Sequence, residues 1–331
     1  TLWSDEALAA ENFACDPPYE DASGTKLPEN LIAGMVSWKR PSEFLGEEAA
    51  PCVVQAPPAP EEGEEPTPMG RELPNVLAKS DEVPLESIPS VQWLTSCYQL
   101  VALQSELLDE GDFLWELIYP KGDDGLPAYQ PGGKYAVKLF EQGAWRMVVV
   151  DDRMPFDGYG NLLVPSSTSK LELWPLLLAK ALYKLEETYA LPISQDPAVL
   201  LRLTGWLPEV VPISPTLPAT ASWETLAAFL PAEKQCALGL LLPDSADDVL
   251  GPNGLHHGPL VAVRDVRAVS GQMYARLETQ LMAWTGELCD TDEATWTPSL
   301  ADSLSWKRLQ RLRKHAAGWP LHDFWLSLPS L

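Results

Sequence analysis

Apolar residues recur along the chain with two periods, and each period predicts a different element. From Ser90 onward Leu94, Cys97, Tyr98, Val101 and Leu108 fall on one face of a helix, for which Pro89 and Ser90 make a suitable start. Further on, Tyr135, Val137 and Leu139 alternate with polar neighbours, Gln142-Gly143 supplies a turn, and Trp145 to Val150 returns. That stretch reads as a β-hairpin. Asp157-Gly158-Tyr159-Gly160-Asn161 predicts a second turn, with Leu162 to Val164 as a short return strand. The widest apolar stripe follows, built by Leu173, Leu177, Ala181 and Leu185 with Trp174, Leu178 and Leu182 beside them. Ser169 and Glu172 have the spacing of a capping box for this helix, and Pro175 falls in its first turns, where a missing amide donor is tolerated. Beyond it the pattern predicts a short helix at 223–230, a buried strand near 237–242 and another at 260–266.

The first 89 residues break this regularity. Pro51 to Pro68 is dominated by Pro and Glu, a composition that buries too little apolar surface to offset chain entropy. Residues 1–89 are therefore expected to form an acidic, Pro-rich arm or linker, with Cys52 an exposed thiol and Met35 to Pro41 an apolar island that packs back onto the body. Two domains follow on this reading, 90–212 and 213–331. A hydrophobic fraction of 46% with 13 Trp is enough to fill both cores. With Lys+Arg 23 against Asp+Glu 47, the net charge of −24 argues against gripping nucleic acid or an anionic membrane surface. The apolar runs fall well short of the roughly 20 residues that a membrane span needs. The chain opens on Thr1 without a basic-then-apolar leader, as expected for a piece of a longer polypeptide in a cytoplasmic setting. Five scattered Cys, none at the spacing of a zinc or redox motif, predict neither a disulfide framework nor a metal, and no cofactor is expected.

Trp145 to Asp152, then Pro155, then Leu171 to Ala181 resemble the strand, double aspartate and Trp-bearing helix of the calpain-type cysteine protease core. Thr204-Gly205-Trp206-Leu207-Pro208-Glu209 resembles the turn closing that family's first subdomain, and Trp284-Thr285-Gly286 and Asp323 to Ser327 resemble segments of its second. The resemblance implies an α+β fold with a papain-type core: a helical first subdomain with a small antiparallel sheet, and a β-rich second subdomain. Ser37 to Pro41, Gly133 to Leu139, Pro155 to Asp157 and Leu203 to Glu209 are also similar to the calpain-like half of the androglobin family. That likeness implies a place in the axoneme of a cilium or flagellum, with other axonemal proteins as partners.

The family's chemistry needs a cysteine at a helix start, a histidine base and an asparagine that orients the base. The resemblance places Cys97 at the nucleophile position and His256 or His257 at the base, His257 being the candidate carried forward. Three features count against a working site. No glycine lies between Gly70 and Gly111 to turn the chain into the cysteine's helix. Cys97 falls on the apolar stripe of the predicted helix, and no asparagine follows Asn253, so Arg276 to Gln280 stand where the family has its orienting motif. The expectation is a vestigial site in a pseudo-protease that serves as a docking module in a larger ciliary assembly. The alternative is an active intracellular calpain-type cysteine endopeptidase. Asp123-Asp124 and Asp151-Asp152 invite a calcium reading, but neither opens a loop closed by a bidentate glutamate. Asp123 is expected to be a turn residue, and Asp151 a partner for a backbone amide or Arg153. Lys307, Arg308, Arg311 and Arg313 form a basic cluster able to dock an acidic partner such as a calmodulin-like protein, or to serve as a counter-face to the acidic body.

Overall fold

The alternating run from Tyr135 to Val150 forms the expected hairpin in the computed structural model. The structure describes residues 4, 7–21, 35–45, 51–54, 97, 113–160, 162–164, 172–185, 196–207, 209, 224, 227–228, 238–241, 260–279, 288, 296–304 and 322–327. Strands β3 (Lys134–Glu141) and β4 (Ala144–Asp151) pair antiparallel with Glu141 opposite Ala144. Gln142 and Gly143 between them have φ of 51° and 79°. Two left-handed residues make a type I′ turn, whose twist suits the strands it joins. The two-residue strand β2 (Ile118–Tyr119), which follows the short helix α2 (Phe113–Glu116), adds to the other edge of β3. Tyr135, Val137 and Leu139 are buried, as their alternation requires.

Helix α3 (Trp174–Leu185) lies against this sheet and buries every residue from Trp174 to Tyr183. Its start differs from the capping-box expectation. Ser169 is outside the described residues, and Glu172 is extended, bridging to Cys52 instead of capping the helix. The amides of Leu173 and Trp174 donate instead to the Cys52 and Val53 carbonyls at 3.0 and 3.1 Å. The first orphan donors of the helix are thus met by backbone from far upstream. Helix α4 (Asp196–Thr204) packs on β3 and ends at Gly205, which has φ of +71°. Its amide donates to Leu201 O at 2.7 Å, and the Thr204 hydroxyl accepts from the Trp206 amide at 3.0 Å. The Thr-Gly turn is therefore a left-handed helix cap.

Strand β1 (Met35–Lys39) pairs antiparallel with β5 (Met154–Asp157), Trp38 opposite Pro155, and runs into the short helix α1 (Pro41–Phe44). The apolar island of the arm is thus a strand. After β5 the chain turns at Asp157, whose carboxylate accepts from the Tyr159 amide at 2.9 Å, and Leu162 bridges back to Phe156.

The chain divides into a unit of residues Thr1–Glu209 and a unit of residues Val210–Leu331. In the second, β6 (Leu238–Leu241), β7 (Leu260–Val269), β8 (Gln272–Thr279) and β9 (His322–Ser327) pair antiparallel in that order. Ser270 and Gly271 again have positive φ and make a second type I′ hairpin. Tyr274, Leu288, Leu304 and Trp325 form a buried cluster under α5 (Pro298–Ser303), and Trp325 Nε1 donates to Leu304 O at 3.1 Å. Glu224, Ala227 and Ala228 are helical within the stretch expected to be so. The architecture is α+β, and among the described residues no helix is long and apolar enough to cross a membrane.

Gly133 has φ of +69°, and a Cβ there would lie 2.4 Å from both Arg40 Nη1 and Asp152 Oδ1. Gly143, at φ +79°, has nothing within 4 Å of that position. Gly143→Ala is expected to cost about 1 kcal/mol from the left-handed backbone alone, and Gly133→Ala about 2–3 kcal/mol because the ion pair must also move. Urea midpoints of the two variants check this; equal losses would show that the Arg40–Asp152 contact imposes no constraint.

Candidate functional site

Cys97 is helical and 0% exposed. Reactive cysteines are usually part-exposed in electropositive surroundings, and burial of this degree is more common for structural ones. His256 and His257 lie outside the described residues, as do Lys307, Arg308, Arg311 and Arg313. The segment expected to stand where the family has its orienting asparagine, Arg276 to Gln280, is described as far as Thr279, where it is the end of β8. There Arg276 pairs with Asp265 and Trp325, Glu278 with Ala262 and Asp323, and Thr279 closes the strand opposite His322. That segment is a central strand carrying Arg, Leu, Glu and Thr.

The best-defined polar site is elsewhere, where β4 ends under α3. Asp151 and Asp152 are each 1% exposed. Lys180, on the buried face of α3, is 3% exposed; its ammonium donates to Asp151 Oδ1 and to the Arg153 carbonyl. Arg153 Nε donates to Asp151 Oδ2 at 2.8 Å, and the Asp21 amide donates to the same oxygen at 2.9 Å. Asp151 thus meets both a backbone amide and Arg153, the two partners expected for it. One turn along α3, Lys184 pairs with the Asp21 carboxylate at 2.7 Å and donates to Val149 O at 2.7 Å. Arg40 pairs with Asp152 at 2.5 Å and donates to Tyr19 O at 2.8 Å. The Trp38 ring lies 5.0 Å from the Lys180 ammonium, within cation–π range.

Burial pushes the Asp151 carboxyl up, but the Lys180 charge, with hydrogen bonds from Asp21, Lys180 and Arg153, outweighs it and holds the carboxyl below its usual range. Asp152 goes the other way: burial and the neighbouring Asp151 charge raise it against the pull of Arg40. Burial lowers the Lys180 ammonium, and Arg153 competes with it for the same carboxylate. As the pH falls, Asp152 takes its proton first. The stability held by ionised Asp151 is present above the ordinary carboxylate range and is lost only as the pH falls through its lowered value.

This arrangement fits a structural ion cluster. Each carboxylate faces side-chain cations, and among the described residues no group of three or more His, Cys, Asp or Glu is placed to hold a metal. Asp123 and Asp124 are exposed in a turn where Asp124 Oδ1 accepts from the Leu126 amide at 2.9 Å, so Asp123 is the turn residue it was expected to be. Cys52 differs from its expectation. It is half-buried against Glu172, and burial together with that carboxylate pushes its thiol up to about 11. The sequence reading had no role for Lys180, Arg40 or Asp21. A lysine amid the apolar stripe of α3 was the available signal.

The calpain family cysteine protease pattern matches residues 88–328. Mouse (Mus musculus) androglobin is 42% identical over 127 residues, 36% of this chain and 8% of that protein. Human (Homo sapiens) calpain-7 is 34% identical over 195 residues, 57% of this chain and 24% of that protein. The calpain-like protease palB/RIM13 of Aspergillus oryzae is 31% identical over 202 residues, 59% of this chain and 21% of that protein. The chain thus spans a quarter or less of the length of each of these relatives.

Removing one member of a buried pair leaves an uncompensated charge, which costs about 3–5 kcal/mol. Asp151→Asn strands Lys180 beside Arg153 and is expected to cost that much. Lys180→Met keeps Arg153 on Asp151 and adds apolar surface to α3, so its loss should be smaller. Denaturant unfolding of both variants checks the order. The reverse order would make Lys180, and not Asp151, the group around which the cluster is built.

Proposed function

The chain belongs to the calpain family of cysteine proteases, and from that premise we propose that it is a catalytically degenerate calpain-like domain acting as a docking module in a larger ciliary assembly. The observation that carries the reading is at the end of β8, where Thr279 closes a strand and no asparagine follows Asn253. An imidazole base without its orienting partner loses the tautomer and direction that proton transfer from a thiol requires. The burial of Cys97 supports the same reading. On this proposal the unit ending at Glu209 serves as the helical first subdomain of a papain-type core with its small sheet, and the unit beginning at Val210 as the β-rich second.

The axonemal setting is the one that the likeness to androglobin implies, with other axonemal proteins as partners. Lys307, Arg308, Arg311 and Arg313 offer a cationic face to an acidic partner such as a calmodulin-like protein on a body whose net charge is −24. The competing reading is an active cysteine endopeptidase using Cys97 and His257. It is favoured by the family pattern itself, which spans both residues.

Covalent labelling of the folded chain with an epoxide thiol warhead, mapped by mass spectrometry beside a Cys97→Ala control, separates the two. Cys97 is expected to react only after denaturation. Selective modification of folded Cys97 that disappears in His257→Ala would establish the protease instead. For the setting, the chain carrying a fluorescent tag in ciliated cells is expected to stay with detergent-extracted axonemes; complete release with the soluble fraction counts against a ciliary docking role.

A further inference from the structure

We propose that the first unit is a two-piece fold, in which an N-terminal strap described at residues 7–21, 35–45 and 51–54 binds a body that begins at residue 97 tightly enough to stay bound when the connection at 55–96 is cut. The inference is independent of whether Cys97 is reactive. Three seams carry it.

In the first seam, Phe13 is 1% exposed, and the Lys134 ammonium donates to Asn12 O at 3.1 Å while lying over the rings of Phe13 and Tyr19. The Tyr19 amide donates to Gly132 O at 2.7 Å. A Cβ on Gly132 would come within 2.8 Å of Cys15 O, so the strap backbone approaches closer than any side chain would allow. In the second, β1 adds as a strand to β5, Phe44 packs on Phe156 with ring centroids 5.2 Å apart, and Arg40 reaches Asp152. In the third, Val53 and Val54 are buried and the carbonyls of Cys52 and Val53 take the first amides of α3.

The seams match the ways separate peptides bind proteins. Strand addition supplies main-chain hydrogen bonds, and side chains seated alongside give the register. Charges alternate across the contact: the strap's Asp21 and Glu20 meet the body's Lys184 and Arg153, and the strap's Arg40 meets the body's Asp152. Such pairing admits one register and rejects its neighbours. The family pattern begins only at residue 88, so this strap lies wholly outside the matched region. The connection holds the Pro- and Glu-rich run from Ala56 to Pro68, a composition suited to a tether.

A tether keeps the strap at a high effective concentration, which masks weak docking. Cutting it reads the docking directly. A site for a sequence-specific protease is inserted after Gly63 in the full chain, the protein is cleaved, and the product is followed by size exclusion and native mass spectrometry at low micromolar concentration. The expected result is one particle holding one copy of each fragment, with Arg40→Ala weakening strap retention at least tenfold after cutting. Separation or precipitation of the cut wild-type fragments would overturn the proposal, and that comparison needs no variant to fold. A particle holding two copies of each fragment would also overturn it, since the straps would then be exchanged between chains. Asp21→Asn repeats the measurement if the Arg40→Ala chain does not fold uncut; unchanged retention in the variant tested would dismiss the charged seam.

Discussion

The Asp151 carboxylate is the point on which the first unit turns. It lies at the end of β4, 1% exposed, where its charge is tolerable only because Lys180, Arg153 and the Asp21 amide all reach it. A buried ion of this kind costs several kcal/mol unless its partners are held in good geometry. The geometry is therefore fixed from several directions at once. Helix α3 must lie with Lys180 over the strand end, the N-terminal segment must pass close enough for its amide to donate, and Gly133 must leave room for Arg40 to reach the neighbouring Asp152. Hydrophobic burial alone would let α3 slide along the sheet, since Leu, Ala and Trp surfaces tolerate shifts. The ion cluster sets one position.

The same low-dielectric logic separates this cluster from a catalytic site. Reactive groups are perturbed yet reachable, as in a thiolate stabilised by a nearby imidazolium at a half-exposed helix start. Asp151, Asp152 and Lys180 are perturbed but enclosed, with their hydrogen-bonding capacity turned on one another. Cys97 is enclosed as a single side chain, with 0% exposure. Both kinds of burial are compatible with a structural role.

Elements made by local pattern were legible in the sequence. The hairpin at 135–150 came from strict alternation around Gln142-Gly143, and the body of α3 from a stripe with no competing period. The start of α3 was not legible, because Glu172 is held in extended backbone by Cys52, 120 residues upstream. Strand β8 was missed because Met273, Ala275 and Leu277 alternate with Gln, Tyr, Arg and Glu in a run that looks too polar for a central strand. At the candidate site, Asp151 and its link to Arg153 were readable from two adjacent positions. Asp21 and Arg40 were not, since their partners stand 130 and 112 residues away and nothing local marks the pairing.

Composition misjudges segments whose few buried residues are outnumbered. The first 89 residues are acidic and rich in Pro, and a window average over them describes a solvated arm. Phe13, Asp21, Trp38, Arg40 and Val53 are scattered through that average, yet each meets the body at a specific place. A segment of this kind gains little from its own hydrophobicity and much from completing what the body leaves open: the edge of β5, the first amides of α3 and the charges at the end of β4. Removing it would leave Asp152 without the Arg40 guanidinium and Asp151 without the Asp21 amide, at a cost that falls on the body and not on the strap. The stability of the first unit's core is thus placed in the hands of residues upstream of where the family pattern begins, since the unit runs from Thr1 to Glu209 and the pattern starts only at residue 88.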